Sequence, residues 1–362
     1  MKATIITMHS VYNYGTQLQV LATQEKLKEY FDDVEFIDFR RKDTYGKGLI
    51  KLYAKGSIVR LVAFLPTFLK WKKIFRKFQK KYINLSKKKY LDVNEFNNYE
   101  EESDLYITGS DQVWNTEWNN GILSPYYLSF VKNKPKYSYA SSFGLDKLNT
   151  NEIEETKKYL SDYSRISVRE DTGLKILKKQ LGINTGIRII DPTLVMPKSF
   201  WEKYQTKKKI KNKYFLIYNL KNNKNIDIYA KKLEEKTGIK AYRFCTRYDQ
   251  VTKFGKSIVM PKVMDFITLV QNAEFVLTDS FHATAFSINM HTHPYCIYPE
   301  KYSNRLSDFL KLVGCEEKCK VKNIDDLSIV NETIDYDKTD AILDKERKRV
   351  DKYLSDIKGD LS

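Results

Sequence analysis

The chain of 362 residues holds four histidines, and one, His282, ends the stretch Thr278-Asp-Ser-Phe-His282. Phe275 to Thr278 reads as a buried strand, Asp279-Ser280 as a polar turn, and the residues up to Met290 as a short helix. Open α/β sheets place ligands where a strand end meets a helix N-terminus. The N–H groups and dipole of that helix favour an anion such as phosphate. A titratable imidazole beside an anion site suits proton transfer to a phosphorylated substrate. His282 and Asp279 are therefore candidate catalytic groups, and Ser280 a candidate substrate contact.

Three further loops carry polar groups of the right kind. In Val11-Tyr-Asn-Tyr-Gly-Thr-Gln17, Gly15 permits close backbone approach, and Asn13 and Gln17 offer donors and acceptors suited to sugar hydroxyls. The same residues also make an ordinary turn. The loop is not G-x-G-x-x-G and not a Walker A motif, which argues against a dinucleotide. The run Asp104 to Asn115 is a strand that stops at Gly109 and then presents Ser110, Asp111, Gln112, Trp114 and Asn115. Planar hydrogen bonders beside an aromatic face suit carbohydrate, and Trp118 and Asn119 extend the pattern. The alternative is a polar turn over a buried Trp. In Ile166 to Asp171, Arg169 either clamps a carboxylate or phosphate, or pairs with Glu170 or Asp171 at a helix start.

Other patterns are less suited to chemistry. His291-x-His293 and Cys315-x3-Cys319 lack partners at metal-ligand spacing, so no metal is expected. The four scattered cysteines read as reduced thiols. Acyl transfer would need a nucleophile elbow of the G-x-S-x-G kind, which is missing.

The elements that must position these loops alternate strand and helix. In the first half, strands fall at Thr4 to Thr7, Val34 to Phe39, Leu105 to Thr108, Tyr137 to Ser141, Arg165 to Val168 and Ile187 to Ile190, with helices such as Thr16 to Tyr30 and Asp171 to Leu181. A second alternation begins near Lys213, with strands at Tyr214 to Tyr218, Lys240 to Phe244, Phe275 to Thr278 and His293 to Tyr298. Two such runs imply two parallel sheets flanked by helices. The expected division is a first domain at 1–193, a second at 194–335, and a C-terminal helix in 336–362 able to pack back on the first domain.

The formal charge is +17, yet residues 44–91 alone hold 14 Lys or Arg and no Asp or Glu. Within this segment Leu52, Ile58, Phe64, Trp71 and Phe78 interleave with the cations, and Pro66 is expected to split it into two helical pieces. The pattern over 47–89 fits an amphipathic membrane-surface element, or apolar residues on a core beneath solvated lysines. No nucleic-acid-binding module is present, so nucleic acid is not expected. The N-terminus lacks a secretory pattern, and no apolar run reaches the roughly 20 residues of a membrane span.

Taken together the segments resemble the polysaccharide pyruvyl transferase family. The matching pieces are Asn13-Tyr-Gly15-Thr-Gln-Leu, Asp104 to Asn115, Lys136 to Gly144, Ser167-Val-Arg-Glu170, Asp191-Pro-Thr-Leu194 and Thr278 to His282, in the family's order. The resemblance implies a GT-B-like α/β fold of two Rossmann-like domains, with the basic helical insert in the N-terminal domain. It implies an enzyme, without cofactor, that transfers a pyruvyl group from phosphoenolpyruvate to two hydroxyls of a sugar; the reduced thiols and the N-terminus point to the cytoplasm, and the basic segment to its inner membrane face. The product is a cyclic ketal on a cell-surface polysaccharide precursor, expected to be lipid diphosphate-linked. On this view the first domain serves the acceptor and the second the donor. Many members carry Arg where this chain has Ser280, so Arg169, Arg305 and nearby lysines become candidates for the donor's charge. The competing expectations are a GT-B-type glycosyltransferase using a nucleotide sugar and a non-catalytic, membrane-associated glycan-binding protein.

Overall fold

The computed structural model describes residues 1–300 and 303–361. Residues 301, 302 and 362, which fall inside the expected second-domain and C-terminal spans, lie outside the described residues. The chain forms two units. The first comprises Met1–Ala63, Arg76–Val195 and the residues from Glu346 onward; the second comprises Phe64–Phe75 and Met196–Lys345.

In the first unit five strands form one parallel sheet: β1 (Lys2–Ile6), β2 (Asp33–Phe39), β3 (Leu85–Tyr90), β4 (Leu105–Thr108) and β5 (Lys136–Ser138), in the order β3-β2-β1-β4-β5. Beyond β5, single parallel bridges link Tyr137 to Arg165 and Ser141 to Val168. They continue the layer into a two-stranded pair, β6 (Ser167–Val168) and β7 (Ile187–Arg188). Because every pairing is parallel, the loop leaving each strand emerges at the same edge. Leu105-Tyr-Ile-Thr108 is buried throughout, as a strand covered on both faces must be, and this favours apolar side chains without alternation. One side of the sheet packs on an aromatic cluster that includes Phe39, Phe96, Trp114, Tyr126 and Tyr127.

β3 lies inside the basic segment and has no sequence signature of a core strand. It is an edge strand whose Lys87, Lys88 and Lys89 are exposed. Lysines on an edge protect it from pairing with another chain. The segment also forms helices α2 (Lys47–Ala54) and α3 (Ile58–Tyr82). Contrary to expectation, α3 runs through Pro66. The proline removes the N–H that would bond the Val62 carbonyl, and both residues are exposed, so water meets that carbonyl. The middle of the helix is tied to the rest of the second unit. Trp71 Nε1 donates to the Thr246 carbonyl at 2.6 Å, and Tyr248 N–H donates to Thr67 Oγ1 at 3.2 Å.

The second unit repeats the plan with β8 (Tyr214–Tyr218), β9 (Lys240–Cys245), β10 (Lys256–Val259), β11 (Phe275–Thr278) and β12 (His293–Cys296), in the parallel order β10-β9-β8-β11-β12. Phe215 and Phe275 stack at 4.7 Å, and Phe275 and Tyr295 at 4.5 Å, joining three adjacent strands on one face. The fold is therefore α/β with two parallel five-stranded sheets.

The C-terminal helix spans Tyr336–Gly359. From Glu346 it is part of the first unit, where Tyr353 Oη donates to the Ser138 carbonyl at 2.7 Å and Lys26 pairs with Asp351 at 2.6 Å. Among the described residues no helix is long and apolar enough to cross a membrane.

Candidate active site

In the first unit, the loops after β1, β4, β5 and β6 gather a set of polar side chains. Asn13 is the N-cap of α1 (Tyr14–Leu27), its Oδ1 accepting the Thr16 N–H at 3.2 Å. Gly15 is thus in the first turn of the helix, buried, and not in the loop itself. Gln17 anchors that loop: its Nε2 donates to the carbonyls of His9 at 2.7 Å and Val11 at 2.9 Å. Its Oε1 accepts from Gln79 Nε2 at 3.0 Å.

The loop after β4 is held in an unusual backbone shape. Asp111 has φ +77°, a left-handed conformation that costs a non-glycine residue of order 1–3 kcal/mol and collects at functional sites. Its carboxylate accepts from Thr16 Oγ1 at 2.8 Å. Asn115 Oδ1 caps the next short helix through the Trp118 N–H at 2.8 Å. Three atoms here, Ser110 Oγ, Gln112 Nε2 and Asn115 Nδ2, are buried with no hydrogen-bond partner among the described residues. Two of them converge on Gly144, where an added Cβ would come within 2.0 Å of Gln112 Nε2 and 2.8 Å of Asn115 Nδ2. Gly144 also has φ +62°, which strains any residue with a side chain, while the two amides are the ends of side chains that could shift.

Trp114 is not an exposed sugar platform. It is fully buried, donates Nε1–H to the Tyr126 carbonyl at 3.1 Å and stacks on Tyr127 at 5.7 Å. The exposed aromatic face of this stretch belongs to Trp118, at 48%.

Arg169 lies among three carboxylates. It meets Asp191 at 2.7 Å, Glu170 at 2.9 Å and Asp111 at 3.7 Å, with its own side chain 2% exposed. Burial alone would push the guanidinium pKa down, but Glu170, Asp191 and Asp111 outweigh it and the net displacement is upward. Of the two sequence alternatives, the pairing with Glu170 is present, and Asp191 adds a partner from the next strand end. Ser142 Oγ donates to Glu170 Oε1 at 2.7 Å, while Glu170 Oε2 is buried without a partner among the described residues. A fixed cation with excess carboxylate around it can orient neighbouring hydroxyls and accept their protons.

Sequence reasoning passed over His9. It is fully buried just after β1, with Nε2 2.9 Å from Asp38 Oδ1 and Nδ1 3.3 Å from the Thr7 carbonyl. Asp38 also bonds Arg40, which donates to Gln79 Oε1 at 3.1 Å. The available signal was a scarce residue type at a strand end, but Asp38 lies on another strand and no local motif links the two.

In the second unit, the turn after β11 is built by local hydrogen bonds. Ser280 is the N-cap of the Phe281–Asn289 helix, accepting from the Ala283 N–H at 3.4 Å. This gives serine a structural role at the position where the family resemblance suggested an arginine. Asp279 accepts the N–H groups of Leu220 at 2.7 Å and Lys221 at 2.9 Å, fastening the loop after β8. Burial raises its pKa, and those two N–H groups only partly offset the rise. His282 is 8% exposed in the first turn of the helix. Two cations lie in the same region. Desolvation, then the repulsion of Arg305, push the Lys221 pKa down, with Asp279 opposing. Arg305 also stands 5.9 Å over the Phe281 ring. The His291-x-His293 pair is occupied structurally: His291 bonds Asp340 at 2.8 Å and His293 the Lys318 carbonyl at 2.9 Å.

Each of the two parallel α/β units carries polar groups at its strand C-termini, the edge at which open α/β sheets place their ligands. Among solved structures, the chain is similar to a UDP-N-acetylglucosamine 2-epimerase candidate from Listeria monocytogenes, at TM-score 0.54 and 12% identity, covering 93% of this chain and 90% of that one. A second UDP-N-acetylglucosamine 2-epimerase matches at TM-score 0.53 and 10% identity, covering 98% and 96%. The heptosyltransferase from E. coli, solved with ADP, matches at TM-score 0.40 and 9% identity, covering 88% and 99%. A search of curated proteins by sequence finds no match. The polysaccharide pyruvyl transferase model matches residues 13–301, and the chain belongs to that enzyme family.

Proposed function

We propose that this protein transfers a pyruvyl group from phosphoenolpyruvate to two hydroxyls of one sugar in a polysaccharide precursor, lipid-linked at the cytoplasmic membrane face, leaving a cyclic ketal. Family membership supports pyruvyl transfer onto polysaccharide. The observation that carries the sugar end is the group of buried polar atoms around Gly144 that have no partner among the described residues, namely Gln112 Nε2 and Asn115 Nδ2, with Ser110 Oγ in the same loop. Unpaired buried donors cost about 1–3 kcal/mol each, which hydroxyls of a ligand would recover.

On this reading His282 gives a proton to the methylene carbon of the enol phosphate. A C–H bond forms and the adjacent carbon becomes electrophilic. One sugar hydroxyl attacks that carbon and loses its proton. The carbon–oxygen bond to phosphate then breaks, and the second hydroxyl closes the ring as its own proton leaves. Of the two hydroxyl protons released, one returns to the imidazole that has just given up its own and one leaves on the departing phosphate. Lys221 and Arg305 are assigned the donor's phosphate and carboxylate, in place of the arginine that many members of the family carry at the position of Ser280. The Phe281–Asn289 helix N-terminus adds about half a positive charge to the same task.

The test is incubation with phosphoenolpyruvate and a panel of lipid-linked or nitrophenyl sugars. Acceptor-dependent phosphate release with the mass gain of a pyruvyl ketal is expected. Consumption of a UDP-sugar, with phosphoenolpyruvate inert and giving no protection against heat, would replace this reading with the glycosyltransferase one.

A further inference from the structure

α3 carries two apolar stripes. Phe64, Phe68, Trp71, Phe75 and Phe78 recur at helical spacing and are buried. Ile58, Val62, Leu65 and Leu69 recur at the same spacing on another face and are 78%, 65%, 41% and 54% exposed. Val59 and, on α2, Leu52 are also exposed, at 78% and 55%. A helix that packs only on its own protein needs one stripe, so the second requires another partner.

Charge selects that partner. Residues 44–91 contain 14 basic and no acidic residues; Lys51 and Lys55 at α2 and Arg60 and Lys73 on α3 are exposed. A second copy of the same face would bring like charges together across the contact. An anionic leaflet would meet the cations with opposite charge and the stripe with hydrocarbon. We propose that the exposed stripe of α3, from Ile58 to Leu69, with Leu52 of α2, lies in the interface of an anionic lipid bilayer. This stands apart from the transfer reaction, because it requires no substrate. It also narrows the whole basic segment to one helix face: the lysine-rich edge strand β3 and the buried aromatic stripe are outside it.

Co-sedimentation of the full chain with vesicles tests the surface. Binding is expected to phosphatidylcholine vesicles containing phosphatidylglycerol, and much weaker binding to phosphatidylcholine alone. The double variant Val62→Glu, Leu65→Glu should lose about tenfold or more in vesicle partition. Both sites are exposed, so its melting temperature should match wild type. Ile228→Glu, an exposed apolar position at 44% on another helix, should leave binding unchanged. Wild type that fails to bind anionic vesicles, or a double variant that binds as wild type does, overturns the proposal. So does a dimer in light scattering that the double variant converts to monomer, which would make the stripe a self-association face.

Discussion

The guanidinium of Arg169 meets the carboxylate of Asp191 at 2.7 Å, with the two side chains only 2% and 0% exposed. Neither charge can return to water without the other, and Glu170 and Asp111 bind the same cation. Arg169→Ala would leave three buried carboxylates uncompensated. It should cost about 3–5 kcal/mol in denaturant unfolding. A loss below about 1 kcal/mol would show that the cluster does not hold these loops.

His282 is assigned the proton that phosphoenolpyruvate takes up. His282→Asn should lower acceptor-dependent phosphate release by about 10²–10⁴-fold while phosphoenolpyruvate still shifts the melting temperature. Activity within a few-fold of wild type removes the role.

Lys221 and Arg305 test where the donor's charge is met. Lys221→Ala and Arg305→Ala should each raise KM for phosphoenolpyruvate by about tenfold or more with little change in kcat, as expected when a charge-assisted contact made in ground and transition states is lost. A change in kcat alone would place them elsewhere in the reaction.

Gly144 closes on two amides. Gly144→Ala must strain a φ of +62° and push its Cβ into Gln112 Nε2. Stability should fall by roughly 1–3 kcal/mol. KM for the sugar acceptor should rise more than KM for phosphoenolpyruvate. Equal effects on both would detach this loop from the acceptor.

Asp38 provides a pH test. Burial alone would raise its carboxyl pKa, but the hydrogen bond and charge of His9, then Arg40, carry it below the ordinary 3.8. A depressed carboxyl contributes stability that is present above the ordinary value and lost as pH falls through the folded one. The wild-type melting temperature should therefore drop on acidification below about pH 4. In Asp38→Asn it should be lower at neutral pH and fall less over the same acid range. Parallel melting curves for the two proteins would remove Asp38 as a source of acid sensitivity.

Much of the protein is legible without coordinates. Strand, turn and helix around Phe275 to Asn289 follow from a buried apolar run, a polar turn and a short apolar helix, all within a few residues of one another, while the capping role of Ser280 came only with the structure. The polar loops after β1, β4 and β6 were legible for the same reason. β3 was not, because an edge strand with exposed lysines lacks the apolar pattern of a core strand. Pro66 misled because the cost of a proline in a helix depends on whether water reaches the orphaned carbonyl.

Local pattern thus determined the two parallel sheets and which loops leave the C-terminal ends of their strands, since backbone propensity and hydrophobic period act over neighbouring residues. Tertiary structure alone decided what each polar side chain does there. It buried Trp114 in the aromatic core, set Asp191 against Arg169 and paired His9 with Asp38. It also left Gln112 Nε2 and Asn115 Nδ2 buried without partners among the described residues. Those outcomes depend on parallel crossovers bringing residues distant in sequence to one edge, where burial makes every charge and donor depend on which neighbour it meets.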